Sequence, residues 1–170
     1  TYIYGNIRRR YVKVVITADV RTKKLIDVHA YIGEGSEAEI AVKQIKRIQD
    51  NGIKLKKFYG DGAYDTNEVF YAIEDAESAI MIRKNGSTCC RGNRRRREEI
   101  RKYFSLRYKA WSKITKYGLR WAVEGTFSAV KRKFGEDLKA RTVIGLLAEA
   151  MQKFWAYDEM MAFARKAVGL

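Results

Sequence analysis

Proline is absent from the 170 residues of this chain, and histidine and cysteine are scarce, with one and two residues. Cys89 and Cys90 are adjacent, so a disulfide between them would be strained. With no Cys-x-x-Cys pair and only His29 beside them, the sequence offers no partners for a zinc site. These absences favour a reducing, intracellular compartment.

Long apolar runs are also absent. No stretch approaches the roughly 18 apolar residues that indicate a membrane-spanning helix, and the first residues carry neither a signal peptide nor a hydrophobic anchor. We therefore expect a cytoplasmic protein with no membrane association. Because the fragment TYIYGNIRRR lacks an initiator Met, we expect the chain to begin inside a longer protein.

Basic residues, by contrast, are abundant. Lysine and arginine total 35 against 20 acidic residues, which gives a formal net charge of +15. Such an excess favours a polyanionic partner, because cations that neutralise phosphates gain affinity through counterion release. The length is sufficient for a single domain with a substantial core over residues 1–170.

The first third of the sequence predicts a β-hairpin over residues 11–32. Residues 11–20, YVKVVITADV, are rich in β-branched side chains, and residues 25–32 form a second run of the same type. Asp19 falls at the intervening turn, where Asp is favoured because it hydrogen bonds nearby backbone groups.

After the hairpin, helices and short strands alternate. Ser36 and Glu39 form a capping box that opens a helix, and Asn51-Gly52 ends it. The next segments are a strand over 53–59, a helix over 66–75 capped by Asp65, and a strand over 78–83. This order predicts an α/β fold with a mixed sheet flanked by helices.

Residues 84–101, KNGSTCCRGNRRRREEIR, differ from the rest in being polar, glycine-containing and strongly basic. We expect a mobile loop or a loop-to-helix junction here. The run of Arg94, Arg95, Arg96 and Arg97 has a charge density suited to a phosphate backbone, although a solvated surface run would look the same. Helices are expected after it, including C-terminal helices over about 117–167.

The stretch YGLRWAVEGTFSAVK, residues 117–131, carries the most reactive pattern. On a continuous helix, Tyr117, Arg120, Glu124 and Lys131 fall within a sector of about 60°. A carboxylate would thus be flanked by two cations and a phenol beside an apolar face. Ordinary pairing of Arg120 with Glu124 on an amphipathic helix explains the same pattern.

Asp61 is a second candidate acid. It lies just past the predicted strand over 53–59, between two glycines that allow close approach of a ligand. In open α/β sheets, ligands bind beyond this end of the strands. Asp61 and Glu124 could supply the hard oxygen ligands that two-metal phosphoryl transfer requires, while a turn role explains Asp61 equally well.

Together these motifs resemble the DDE transposases of prokaryotic insertion sequences. GDGAYDT at 60–66 is followed by YGLRWAVEGTFSAVKRKFGE at 117–136, which satisfies the signature Tyr-x2-Arg-x3-Glu-x6-Lys at Tyr117, Arg120, Glu124 and Lys131. RRRYVKVVITADVRTKKLIDVHAY also resembles the basic hairpin of these proteins. The resemblance covers nearly the whole chain.

The resemblance implies an RNase H-like catalytic core that cuts transposon ends and joins the 3′-hydroxyls to target DNA. Asp61 and Glu124 would be the second and third acids and would bind Mg²⁺ or Mn²⁺ in a two-metal site. Tyr117, Arg120, Lys131 and Arg132 would contact the DNA. The implied partners are the terminal inverted repeats, target DNA and a second copy of the chain in the synaptic complex, in a prokaryotic nucleoid.

One part of the family pattern is missing. The family's first acid lies on a first strand ahead of the hairpin, and Thr1–Asn6 contains no acid. Either the core is truncated and lacks that strand, or Asp19 serves as the first acid. The rival functions are a non-catalytic, basic DNA-binding remnant of a transposase and an RNase H-like nuclease that cleaves without joining ends.

Overall fold

A computed structural model describes residues 11–83 and 92–167 of the chain. The described residues divide into two units, one formed by the segments up to Gly35 and from Val123 onward, the other by Ser36–Ala122. In chain order the strands and α-helices are β1 (Val12–Ala18), β2 (Leu25–Ile32), α1 (Glu37–Asp50), β3 (Lys57–Gly60), α2 (Asn67–Ala72), β4 (Glu77–Ile80), α3 (Arg94–Thr115), α4 (Trp121–Phe134) and α5 (Val143–Ala167).

The predicted hairpin is confirmed in the first unit. β1 and β2 pair antiparallel, with Val15 opposite His29 and Ile16 opposite Val28. Apolar side chains from β1, β2, α4 and α5 form the core of this unit, in which Phe127 meets Phe154 edge to face at 5.0 Å between ring centroids. The hairpin therefore buries one face against helices, as its pattern of apolar residues requires.

α5 is also attached to the hairpin by polar contacts. The buried carboxylate of Asp158 accepts a hydrogen bond of 3.0 Å from the backbone N–H of Leu25, the first residue of β2. About two turns further on, Arg165 donates to the carbonyl oxygen of Thr22 at 2.8 Å. These two bonds join residues far apart in sequence.

In the second unit, β3 and β4 form a parallel pair in which Gly60 lies opposite Ile80. The predicted helix α1 is confirmed, with Ser36 as its N-cap and Asn51 as its C-cap. α1, α2 and β4 share an apolar core that contains Ile45, Phe70 and Ile80. A second cluster, around the almost fully buried Trp111, joins α3 to the end of β4.

Three expectations about these segments were wrong in detail. The strand expected over 53–59 begins only at Lys57, and Ile53 is 47% exposed. The helix expected over 66–75 is capped by Thr66, whose hydroxyl accepts from the N–H of Val69, and Asp65 has a different role. Helix α3 begins at Arg94, so a loop as far as residue 101 is wrong, whereas the alternative of a loop-to-helix junction agrees with this boundary; residues 84–91 lie outside the described residues.

The single mixed sheet that we expected is not found among residues 11–83 and 92–167. The described strands form two separate two-stranded sheets, β1–β2 and β3–β4. Each sheet buries its apolar side chains against helices of its own unit. The α/β class is correct, while the position of the expected first strand falls on residues 1–10, outside the described part of the chain.

None of the helices in the described ranges combines the length and apolarity that crossing a membrane would demand.

Candidate active site

Asp61 lies directly after β3, at the carboxyl edge of the parallel pair β3–β4. Its Oδ1 accepts a hydrogen bond of 2.8 Å from the N–H of Ala63, so the side chain caps a short 3₁₀ turn, Gly62–Tyr64. An ionised carboxylate has about four lone-pair sites, so this bond is compatible with a further ligand. The two interpretations of Asp61, turn residue and site residue, are therefore not exclusive.

Close packing explains the glycine before Asp61. A Cβ at Gly60 would lie 2.9 Å from Cδ2 of Tyr64 and 3.0 Å from Cε1 of Phe58. Those two rings meet edge to face at 5.8 Å. Any larger residue at position 60 would push the rings apart and move the start of the Asp61 turn.

The stretch 117–131 is not one continuous α-helix, contrary to the prediction. Lys116 has a left-handed backbone with φ of 56°, and Tyr117–Arg120 forms a 3₁₀ turn before α4 begins at Trp121. A 3₁₀ turn advances about 120° per residue instead of 100°, so three residues bring Tyr117 and Arg120 to the same side of the turn, and the angles calculated for one α-helix do not apply to Tyr117.

Tyr117 is a core residue. Its ring is 4% exposed and lies 5.0 Å from that of Trp111. Burial raises the pKa of the Tyr117 phenol; the charge of Asp61 also raises it, while Arg120 acts in the opposite direction through its charge and a hydrogen bond. The guanidinium carbon of Arg120 lies 5.4 Å from the centre of the Tyr117 ring.

These interactions bring Asp61, Tyr117 and Arg120 together in the second unit. The Arg120 guanidinium lies over the Tyr117 ring at cation–π distance, and Asp61 is close enough to act on the phenol electrostatically. In the described structure, Asp61 and Arg120, one acid and one cation of the predicted set, therefore both lie near the buried ring of Tyr117.

The remaining residues of the signature lie on α4, in the part of the chain that belongs to the first unit. Glu124 is exposed in the first turn of α4, where a carboxylate is favoured by the helix dipole. Lys131 is exposed two turns later on the same face, since seven residues advance a helix by about 700°. Arg132 is its exposed neighbour, and Lys131 pairs with Glu136 at 3.3 Å.

Asp19 occupies the hairpin turn, as predicted from the sequence. Its Oδ1 accepts hydrogen bonds from the backbone N–H groups of Thr22 at 2.7 Å and Arg21 at 2.8 Å. The bond from Thr22 is the main reason that the pKa of the Asp19 carboxyl lies below its ordinary value. The turn alone therefore accounts for an Asp at this position.

The four arginines at 94–97 have different roles. Arg94 is exposed and pairs with Glu98 one turn along α3. Arg95 donates to the carbonyl oxygens of Ile73, Glu74 and Ala76 just after α2, and Arg96 is buried. Arg97 is half-buried and has contacts of its own. The guanidinium groups of Arg95 and Arg96 therefore bond groups on other segments of the protein, whereas that of Arg94 pairs with a neighbour on its own helix.

The partner of Arg96 is a residue whose importance was missed in the sequence. Asp65, with a side chain only 1% exposed, accepts from Nε of Arg96 at 2.7 Å and from Nη2 at 3.2 Å. A buried Asp needs a cation or several N–H donors as partners, so burial of Asp65 would have indicated a partner of this kind. The sequence did not indicate which cation would meet Asp65.

Across the described part of the chain, no group of three or more His, Cys, Asp or Glu side chains is close enough to hold a metal ion. The donor types at Asp61 and Glu124 suit Mg²⁺ or Mn²⁺, which bind carboxylate oxygens.

A family model of the transposase DDE domain matches residues 2–158 of the chain. The match covers nearly the whole sequence, so the chain belongs to the transposase DDE domain family, whose function is DNA transposition. No curated protein and no solved structure shows a significant match. Members of this family generally use divalent metal ions.

Proposed function

We propose that this chain is the catalytic core of a DDE transposase that cleaves the ends of an insertion sequence and transfers them to target DNA. The observation that carries the proposal is Asp61, which lies at the carboxyl edge of β3–β4 beside Tyr117 and Arg120. Asp61 corresponds to the second acid of the resemblance, and Tyr117 and Arg120 are the first two residues of the signature. The chain that carries them belongs to the family. We further propose an RNase H-like fold and a single catalytic domain over residues 1–170.

Asp61 and Glu124 are proposed to be the second and third acids and to supply carboxylate ligands to Mg²⁺ or Mn²⁺. Bound divalent ions would activate the attacking water or 3′-hydroxyl and stabilise the leaving oxygen. The N–H of Ala63 fixes the Asp61 carboxylate in one orientation, which favours ligand binding because little side-chain entropy remains to be lost.

The cations of the signature are proposed to hold DNA phosphates. Arg120 is pre-oriented by stacking on Tyr117, and this supports a positioning role for Tyr117 in place of the DNA contact expected from the sequence. Lys131 and Arg132 present their charges on the exposed face of α4. Arg94, which is exposed, and Arg97 remain proposed phosphate contacts.

Asp19 is proposed to be a turn residue and not the first acid. Its carboxylate already accepts two backbone hydrogen bonds, and the turn explains its lowered pKa. Replacement by Asn should therefore leave cleavage within about twofold of wild type, because Asn retains an oxygen acceptor for the turn.

The test is cleavage of a duplex that carries the terminal inverted repeat of the element encoding this chain, in Mg²⁺ or Mn²⁺. We expect the substitutions Asp61→Asn and Glu124→Gln to lower the rate at least about 100-fold, in the range found when groups that stabilise the transition state are removed. Asp75→Asn and Glu159→Gln, which change exposed acids in the same two units, are matched controls. Cleavage that survives either of the first two substitutions would contradict the assignment.

A second function, a DNA-binding remnant without catalysis, is supported by the formal net charge of +15, because binding to phosphates requires cations but no catalytic acids. It predicts salt-sensitive binding of duplex DNA and no cleavage of that duplex by the unsubstituted protein. An RNase H-like nuclease would instead release cut ends without joining them. Analysis of the products for joined strands distinguishes these outcomes.

DNA binding provides an independent measurement. A plot of log K against log salt has a negative slope, and removing one phosphate contact should reduce the magnitude of that slope by about 0.9. We expect this change for Lys131→Ala, with Lys133→Ala as the control, since Lys133 is also exposed but lies about 200° away around α4. Fluorescence anisotropy of a labelled duplex at several salt concentrations gives the slope, and equal slopes for both variants would exclude Lys131 as a phosphate contact.

The proposed partners are double-stranded DNA, namely the terminal inverted repeats and the target, and a second copy of the chain in a synaptic complex. A prokaryotic, nucleoid-associated setting is part of the same proposal.

A further inference from the structure

We infer that Arg83 and Arg96 are positioning residues that hold the Asp61 turn in place through Asp65. The inference rests on the proposed function, because it assigns Asp61 as the residue to be positioned. Neither arginine belongs to the family signature matched by the sequence, and neither is proposed to touch DNA or metal.

The ion pair between Asp65 and Arg96 is the centre of this arrangement. Its two bonds, 2.7 Å and 3.2 Å, engage both carboxylate oxygens, and the side chains are 1% and 10% exposed. A bidentate pair fixes orientation as well as distance. Because removing one partner would leave a buried charge uncompensated, the pair holds Asp65 firmly in the folded state.

Arg83 holds the same turn from the other side. Its backbone N–H donates to Oδ2 of Asp65 at 3.2 Å, and its guanidinium donates to the carbonyl oxygens of Gly62 and Ala63, the latter at 3.2 Å. These two carbonyls belong to the residues directly after Asp61. Arg83 therefore bonds the backbone of the turn that Asp61 caps.

Arg96 is itself fixed by the start of α3. Asn93 caps this helix by accepting from the N–H of Arg96 at 3.1 Å, and the N–H of Asn93 donates to the side chain of Asn67 at 3.1 Å. Gly92 has φ of 100°, and a Cβ there would come within 2.5 Å of the Asn67 amide oxygen. The start of α3 is thus locked against α2, with Arg96 aimed at Asp65.

Positions 61 to 65 are consequently held by groups from three places in the chain. The Asp61 carboxylate depends on the N–H of Ala63, and the peptide units on both sides of that residue are bonded to Arg83. A rotation of these units would release the Asp61 side chain from its cap. Misplacement of a reacting group by about 1 Å can cost roughly 100-fold in rate.

The experiment compares Arg83→Met with Arg101→Met. Both replace an exposed arginine of the second unit and keep an unbranched side chain, but only Arg83 is bonded to the turn. We expect Arg83→Met to speed amide hydrogen exchange of Ala63 at least about 10-fold while residues of α1 keep their protection. In Mn²⁺-dependent cleavage, kcat should fall about 10-fold to 100-fold and KM for the duplex should change less than twofold. Arg101→Met should leave the exchange of Ala63 and kcat unchanged.

Arg96→Lys adds a second readout. Lysine keeps the charge but cannot form the bidentate fork, so we expect a folded protein with a lowered kcat. If Arg96 had a purely structural role, Arg96→Lys would keep the kcat of the unsubstituted protein whenever it keeps its stability.

The two proposals fail in different ways. If the unsubstituted protein does not cleave DNA, the proposed function fails, and the exchange of Ala63 still tests the positioning role. Unchanged exchange of Ala63 in folded Arg83→Met would overturn the inference. So would faster exchange of Ala63 without any loss of kcat in an active protein.

Discussion

Replacing Asp158 by Ala tests how α5 is attached to the hairpin. Asp158 lies on α5 and its carboxylate accepts from the N–H of Leu25 at 3.0 Å, across 133 residues of sequence. Asp158 is 5% exposed and Leu25 is 3% exposed, so water has little access to either group. Loss of the carboxylate would leave a buried backbone donor without this acceptor.

The expected cost follows from this geometry. A hydrogen bond to a charged group contributes about 1.5–3 kcal/mol, and an unsatisfied buried donor costs about 1–3 kcal/mol. Because both figures describe the same bond, they are not added, and we expect the free energy of unfolding to fall by about 2 kcal/mol. For a chain of this size, such a loss corresponds to a decrease in Tm of about 4–8 °C.

Urea unfolding followed by circular dichroism gives the free energy of unfolding. Asp158→Asn should lose less than Asp158→Ala, because the amide oxygen can still accept from Leu25. Glu159→Ala is the control on the same helix, since Glu159 is exposed and its replacement makes the same change in helix propensity to within a few tenths of a kcal/mol. If Asp158→Ala and Glu159→Ala were equally stable, the bond between α5 and β2 would contribute nothing and the reasoning would be refuted.

Two further predictions concern pH. Backbone hydrogen bonds hold the pKa of Asp19 below its ordinary value of 3.8, so its contribution to stability is present above that value and is lost as the pH falls through the lowered pKa. Asp19→Asn should therefore reduce the free energy of unfolding at about pH 7 and have a smaller effect at about pH 3, and a pH-independent difference would contradict this. Burial raises the pKa of Glu99 above its ordinary value of 4.5, so stability is lost as the pH rises from that value through the raised pKa and the group ionises in the folded protein. Glu99→Gln should stabilise the protein at about pH 7 relative to the control Glu98→Gln, and a lower free energy of unfolding would show that the ion pair with Lys102 outweighs desolvation.

Local signals were sufficient for much of the fold. The hairpin over 11–32 was predicted because two segments rich in β-branched and apolar residues flank a turn whose Asp can bond the backbone two and three residues on. The limits of α1 followed from Ser36 and Asn51-Gly52, whose capping chemistry acts within one helical turn. The position of Asp61 directly after a strand was equally local, and the spacing of Tyr117, Arg120, Glu124 and Lys131 was sufficient to suggest the family.

Partner choice between distant residues could not be predicted in this way. The sequence offers four consecutive arginines, and only the packing of α3 against α2 decides that Arg96 meets Asp65 while Arg95 meets the end of α2. The arginine run was interpreted either as a phosphate-binding segment or as a solvated surface run, whereas Arg95 bonds backbone carbonyl oxygens and Arg96 bonds a buried carboxylate. The sequence alone does not distinguish an arginine that is buried from one that is exposed to solvent.

The helical stripe over 117–131 shows the same limit. The sequence by itself determined which residues carry the chemistry, because their types and spacing are local properties. Only the tertiary structure decided how they are presented: the left-handed Lys116 starts a 3₁₀ turn, Tyr117 enters the core around Trp111, and Arg120 stacks on its ring beside Asp61. That outcome depends on apolar burial and charge interactions between segments distant in sequence, which no local periodicity encodes.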